Sequence, residues 1–221
     1  MGETLKLAAA DGHELDAYVA RPAGRIKGGL VVCQEIFGVN HHIRAVTDGY
    51  AGDGFLAVAP ALFDRVRPGI ELDYDEAGVA EGRDLRAALS WDKAIADVAA
   101  AVEAAREAGK VGVIGFCWGG SLAWLAACRL QVAAAVGYYG GQIHAHRQEI
   151  PACPVLLHFG ERDTMIPATQ VADICELHPE VEVHAYPAGH GFNCDARADF
   201  DKQSAHIAHG RTLRFLAGHL G

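Results

Sequence analysis

Short apolar runs alternate along this chain with longer segments of helical period. Residues 5–7 and 15–19 alternate apolar and polar around Asp11-Gly12, a hairpin signal. Gly-Leu-Val-Val-Cys at 29–33 is continuously apolar and predicts a strand buried on both faces. A helix is expected over 39–52 and a strand over 54–59, stopped by Pro60. The stretch 63–82 is polar, carries Gly and Pro, and reads as a long loop of the kind that often serves as a lid. From 84 to 108, Ala, Leu, Ile and Val recur at helical spacing up to Gly109, predicting one helix. Strand 111–114, helix 118–128, strands 132–138 and 155–159, helix 168–177, strand 181–186 and helix 200–217 complete the pattern. A βαβα order behind an N-terminal antiparallel hairpin predicts an α/β fold, with a mainly parallel central sheet and helices on both faces. No repeat or linker interrupts it, so residues 1–221 are expected to form one domain.

The most chemical information lies in Val111-Gly-Val-Ile-Gly-Phe-Cys-Trp-Gly-Gly120. An apolar strand, a glycine-flanked turn and an Ala/Leu-rich helix follow one another. This is the context of a nucleophile elbow, G-x-S-x-G, with Cys117 where serine usually stands. The glycines allow a cramped backbone and close strand–helix packing. The turn lifts one side chain to a helix N-terminus, whose dipole favours an anionic sulfur.

Composition narrows the function classes. The net charge of −9 and the lack of any Lys/Arg cluster disfavour nucleic acid. No apolar run approaches the roughly 18 residues that span a bilayer, so no membrane role is expected. The opening residues lack the basic segment and apolar core of a secretory signal. The six cysteines (33, 117, 128, 153, 175 and 194) form no C-x-x-C pair. They read as reduced thiols, mostly apolar fillers, and a cytoplasmic location is expected.

Ligand sites in open α/β sheets lie beyond the carboxyl ends of the strands. Four polar residues stand at predicted strand ends: Glu35, Cys117, Asp163 and His190. The order Cys117, Asp163, His190 is the chain order of nucleophile, acid and histidine in α/β-hydrolases. A thiol near its free pKa is largely protonated at neutral pH, so His190 is needed to take its proton. Asp163 would fix the imidazole tautomer and stabilise the imidazolium. Each has a plainer reading: a buried cysteine as core filler, Asp163 as a cap for the helix near Pro167, His190 as a loop histidine, Glu35 as the partner of a nearby arginine. His41-His42 and the His206/His209 pair lack a third ligand, so no metal site is expected.

The segments Gln34-Glu-Ile-Phe-Gly-Val-Asn40, Gly115-Phe-Cys-Trp-Gly-Gly120, Val136-Gly-Tyr-Tyr-Gly140 and Ala188-Gly-His-Gly-Phe192 together resemble the dienelactone hydrolase (carboxymethylenebutenolidase) family. The resemblance spans nearly the whole chain. It implies an α/β-hydrolase fold and hydrolysis of a small lactone or ester through a thioester, with Cys117 as nucleophile, His190 as base and Asp163 as its orienter. It also implies that Glu35 holds the resting thiol until substrate displaces it, and that the Ile36 and Trp118 amides form the oxyanion hole. The family binds a substrate carboxylate with arginines, one shortly after the histidine. Here the residue four past His190 is Cys194 and the next arginine is Arg197, while Arg83 and Arg86 are the candidates near the long excursion. With that departure, the resemblance implies a small, dienelactone-like lactone or ester and does not fix dienelactone itself. Tyr138 and Tyr139 are candidates to line the pocket. No cofactor is implied. The expected partner is a small-molecule substrate, acted on by a monomer or weak homo-oligomer. Rival readings are a broad carboxylesterase or thioesterase on the same residues, a redox-sensing thiol protein, and a silent binding domain.

Overall fold

The computed structural model describes residues 2–221. The hairpin forms first, from β1 (Glu3–Ala8) and β2 (Glu14–Ala20), paired antiparallel with Leu7 opposite Leu15. Six further strands follow: β3 (Gly29–Cys33), β4 (Leu56–Pro60), β5 (Val111–Phe116), β6 (Ala134–Tyr138), β7 (Val155–Gly160) and β8 (Glu182–Tyr186). All eight join one sheet in the order β1-β2-β4-β3-β5-β6-β7-β8, and every pair from β4 to β8 is parallel. The α/β architecture thus matches the expectation.

Burial explains why the central strands lack alternation. Every residue of β3, β4, β5, β6 and β7 is buried, because helices cover both faces of the sheet. Helices α3 (Trp91–Ala105) and α4 (Trp118–Arg129) pack together on one face. Helices α1 (His41–Gly52) and α6 (Lys202–Leu220) meet on the other, where the Tyr50 and His209 rings lie 5.4 Å apart. Helix α5 (Ala168–Leu177) matches its predicted bounds.

Two expectations are corrected. The single helix expected over 84–108 is broken at Leu89-Ser90. Leu89 is extended, and the Ser90 side chain accepts from Lys93 N at 3.4 Å, capping α3. Helix α2 (Glu76–Ala88) instead begins inside the stretch expected as loop, capped by Asp75, whose carboxylate accepts from Gly78 N at 2.7 Å. The glycines of α2 masked it as a loop, yet they are what lets it approach the sheet end. A Cβ at Gly82 would stand 2.1 Å from the Ile36 carbonyl oxygen.

Candidate active site

Strand β5 ends by presenting Cys117 at φ 54° and ψ −116°, at the N-cap of α4. Positive φ is costly for a residue with a Cβ, so the surroundings must hold it there. They do: Cys117 N donates to Tyr138 O at 3.0 Å, and α4 lies against β5 through glycine. A Cβ at Gly115 would meet Gly119 O at 1.9 Å, and one at Gly120 would meet Tyr138 O at 2.5 Å. Cys117 is partly exposed, whereas Cys33 is fully buried, with its thiol raised by burial to about 12.

Beyond β7 and β8 the chain supplies Asp163 and His190. His190 Nδ1 lies 2.7 Å from Asp163 Oδ2, and Nε2 lies 3.2 Å from Cys117 Sγ. The other carboxylate oxygen of Asp163 accepts from Met165 N at 2.8 Å and Ile166 N at 3.2 Å. One oxygen of Asp163 thus braces the turn before α5 and the other meets His190; α5 itself starts at Pro167 with no side-chain cap, so Asp163 does not cap it. Both side chains are buried.

Burial alone would lower the pKa of His190. The hydrogen bonds to Asp163 and Cys117, with their charges, override it and raise the imidazole to about 10. Because the folded value lies above the unfolded 6.5, this group contributes stability that is complete below 6.5 and is lost as pH rises through about 10. Urea unfolding from pH 6 to 10 should show the advantage of wild type over His190→Gln shrinking across that window. An advantage that grows with pH contradicts the assignment.

Glu35 follows β3 and is fully buried. Its Oε1 accepts from Arg197 Nη1 at 3.2 Å, while its Oε2 has no partner among the described residues. Among the described residues Glu35 makes no hydrogen bond to Cys117; the partner it does have is Arg197. The physical reason is plain: a buried carboxylate gains far more from a guanidinium than from the weak S–H donor. Gln34 steadies this corner, its side chain accepting from Leu62 N at 3.2 Å.

The remaining arginine candidates are placed differently from one another. Arg83 is exposed on α2. Arg86 lies over the Trp91 ring at 4.4 Å, a cation–π contact that engages its charge. Arg197, 19% exposed in its side chain, is bound to Glu35. Tyr138 packs in the core, its hydroxyl 2.7 Å from Thr212 Oγ1 on α6. Tyr139 is the tyrosine that reaches the site, with its ring centroid 5.2 Å from that of His190.

The amides of Ile36 and Trp118 donate to no other backbone group among the described residues. They are brought close by glycine at a second point. A Cβ at Gly119 would stand 2.3 Å from Cys33 O and 2.5 Å from Gln34 O, so α4 starts directly against the chain leading to Ile36. The long excursion is strapped over the same corner. Leu72 N donates to Phe37 O at 2.9 Å, Gly38 bridges Glu71, and Phe63 stacks on Trp118 at 5.3 Å.

An eight-stranded, mainly parallel sheet with a Cys–His–Asp row at its strand ends defines an α/β-hydrolase. Residues 15–220 match the model of the dienelactone hydrolase family, and the chain belongs to that family. It is 35% identical to the carboxymethylenebutenolidase of Pseudomonas putida, over 97% of this chain and 96% of that one. It is 32% identical to carboxymethylenebutenolidase 1 of Cupriavidus pinatubonensis, over 98% and 97%. A Klebsiella pneumoniae structure provisionally assigned as a dienelactone hydrolase superposes with TM-score 0.86 at 28% identity, covering 99% of each chain. An esterase from Pyrococcus furiosus, 15% identical, shares the fold at TM-score 0.74, over 100% of this chain and 93% of that one. The chain is thus a hydrolase of ester or lactone bonds, acting on small molecules. Among the described residues, no helix is long and apolar enough to cross a membrane.

Proposed function

We propose that this enzyme opens a small ester or lactone through a thioester on Cys117. The observation that carries the reading is the unbroken row from Asp163 through His190 to Cys117, at 2.7 and 3.2 Å. His190 takes the thiol proton, and Asp163 stabilises the resulting imidazolium. The sulfur attacks the carbonyl carbon, whose oxygen becomes an anion held by the Ile36 and Trp118 amides. Collapse of this intermediate expels the alcohol oxygen, which takes the proton from His190. Water then attacks the thioester with His190 as base, releasing the acid and the thiol. Glu35 and Arg197 form the flanking wall, in which each neutralises the other.

Two contacts favour a neutral substrate over an acidic one. Glu35 already matches the charge of Arg197, and Trp91 covers Arg86. The six free thiols fit a reducing compartment such as the cytoplasm.

The reading predicts a mass increase of one acetyl group on Cys117 when the enzyme is mixed with p-nitrophenyl acetate and quenched early. The adduct should decay with turnover and be absent from Cys117→Ala. A stable disulfide in its place would favour redox sensing, and no adduct on Cys117 during active turnover would refute the covalent step.

A further inference from the structure

The steps above give no part to the Tyr139 hydroxyl, although three observations set it apart. Its backbone φ is 38°, and among the described residues only Cys117 shares positive φ without being glycine. Such strain persists where the surroundings impose it, here through Tyr139 N donating to His158 O at 2.7 Å and through the ring packing on Phe192. The ring is fully buried, yet among the described residues its hydroxyl has no hydrogen-bond partner. Buried hydroxyls are normally paired, and an orphan calls for an explanation. The charged and titratable groups around this hydroxyl are those of the site: Glu35 foremost, then Cys194, Arg197 and Cys117. Burial, reinforced by the Glu35 charge, holds the phenol well above its ordinary pKa, so it keeps its proton and serves as a donor.

We infer that the Tyr139 hydroxyl donates a hydrogen bond to the leaving-group oxygen of the ester or lactone during acylation. The inference deepens the thioester reading and rests on it. The carbonyl oxygen is assigned to the Ile36 and Trp118 amides, so the leaving oxygen must lie where His190 Nε2 can protonate it. Tyr139 flanks that imidazole, ring to ring at 5.2 Å. As the intermediate collapses, the oxyanion electron pair re-forms the carbonyl. The carbon–oxygen bond to the leaving group breaks, its pair passes to the leaving oxygen, and His190 supplies the proton. Tyr139 retains its own proton throughout. Its hydrogen bond stabilises an oxygen gaining negative charge beside the carboxylate of Glu35.

The test is Tyr139→Phe, assayed with acetate esters whose leaving groups run from p-nitrophenol through phenol to ethanol. Since kcat/KM reports acylation, it isolates the step concerned. The expected loss is under about threefold for p-nitrophenyl acetate and grows to roughly a hundredfold for ethyl acetate, the scale of one donor lost at a developing charge. The melting temperature should not fall, because the change removes a buried hydroxyl that has no partner. A loss that is uniform across the series, or no loss at all, overturns the inference. If Cys117 still acylates in that case, the thioester reading survives. If wild type forms no acyl adduct with any ester, both fall together.

Discussion

Replacing Cys117 with alanine should lower kcat/KM for p-nitrophenyl acetate by at least about 10⁴-fold and leave the fold intact. The first half follows from chemistry. Without the sulfur, no covalent step remains, and only the oxyanion donors and substrate binding still act; in triad enzymes that residue of catalysis is several orders of magnitude below the full rate. The second half follows from the backbone. Alanine meets the same positive φ that Cys117 already tolerates, and the hydrogen bond holding that turn uses Cys117 N rather than its side chain. The melting temperature should therefore move by only a few degrees. A further signature separates this variant from a general loss of structure. Cys117 is one of the groups that raise the pKa of His190, so the imidazole of Cys117→Ala should titrate lower than in wild type, followed by proton NMR. Cys117→Ser should fall between the two in rate, because a hydroxyl is a far weaker acid than a thiol and needs more help from the base. Esterase activity near wild type in Cys117→Ala would end the covalent assignment.

The parts of this site that the sequence made legible are those with local signals. A glycine-flanked cysteine between a strand and a helix, an aspartate after β7 and a histidine between glycines after β8 can each be read within a few residues. Their meeting follows from the parallel sheet, which gathers the carboxyl ends of its strands on one side. What escaped depends on partners distant in sequence. Glu35 and Arg197 are separated by 162 positions, and nothing local distinguishes a carboxylate that meets a thiol from one that meets an arginine. Tyr138 and Tyr139, both candidates to line the pocket, part for a different reason. Side chains alternate along a strand, so Tyr138, the last residue of β6, turns to α6. Tyr139 then departs from the strand at φ 38°, where the period of two no longer applies. The break between α2 and α3 was hidden because the apolar spacing runs on through Leu89, although Ser90 is a good N-cap three residues before Lys93.

Gly119→Ala should reduce kcat/KM by at least about a hundredfold and stability by roughly 1–3 kcal/mol. The new Cβ would lie 2.3 Å from Cys33 O and 2.5 Å from Gln34 O. Ordinary contact begins at 3.4 Å, so α4 and the end of β3 must separate by about 1 Å, a displacement that can cost 10²-fold when it disturbs reacting groups. Both obstacles are backbone, and neither can swing aside as a flexible side chain would. The separation acts on the two amides assigned to the oxyanion, because Trp118 precedes the altered residue and Ile36 follows the displaced carbonyls. Widening that pair weakens the transition-state contact more than substrate binding, so kcat should fall more than KM rises. Gly218→Ala serves as the control. It lies on the exposed face of α6 with nothing within 4 Å of its added Cβ, and alanine favours a helix over glycine by about 1 kcal/mol. That control should keep full activity and match or exceed wild-type stability. If Gly119→Ala proves equally harmless when assayed below its melting temperature, the tight seat of α4 against Cys33 and Gln34 does not position the oxyanion donors, and their assignment to Ile36 and Trp118 must be given up.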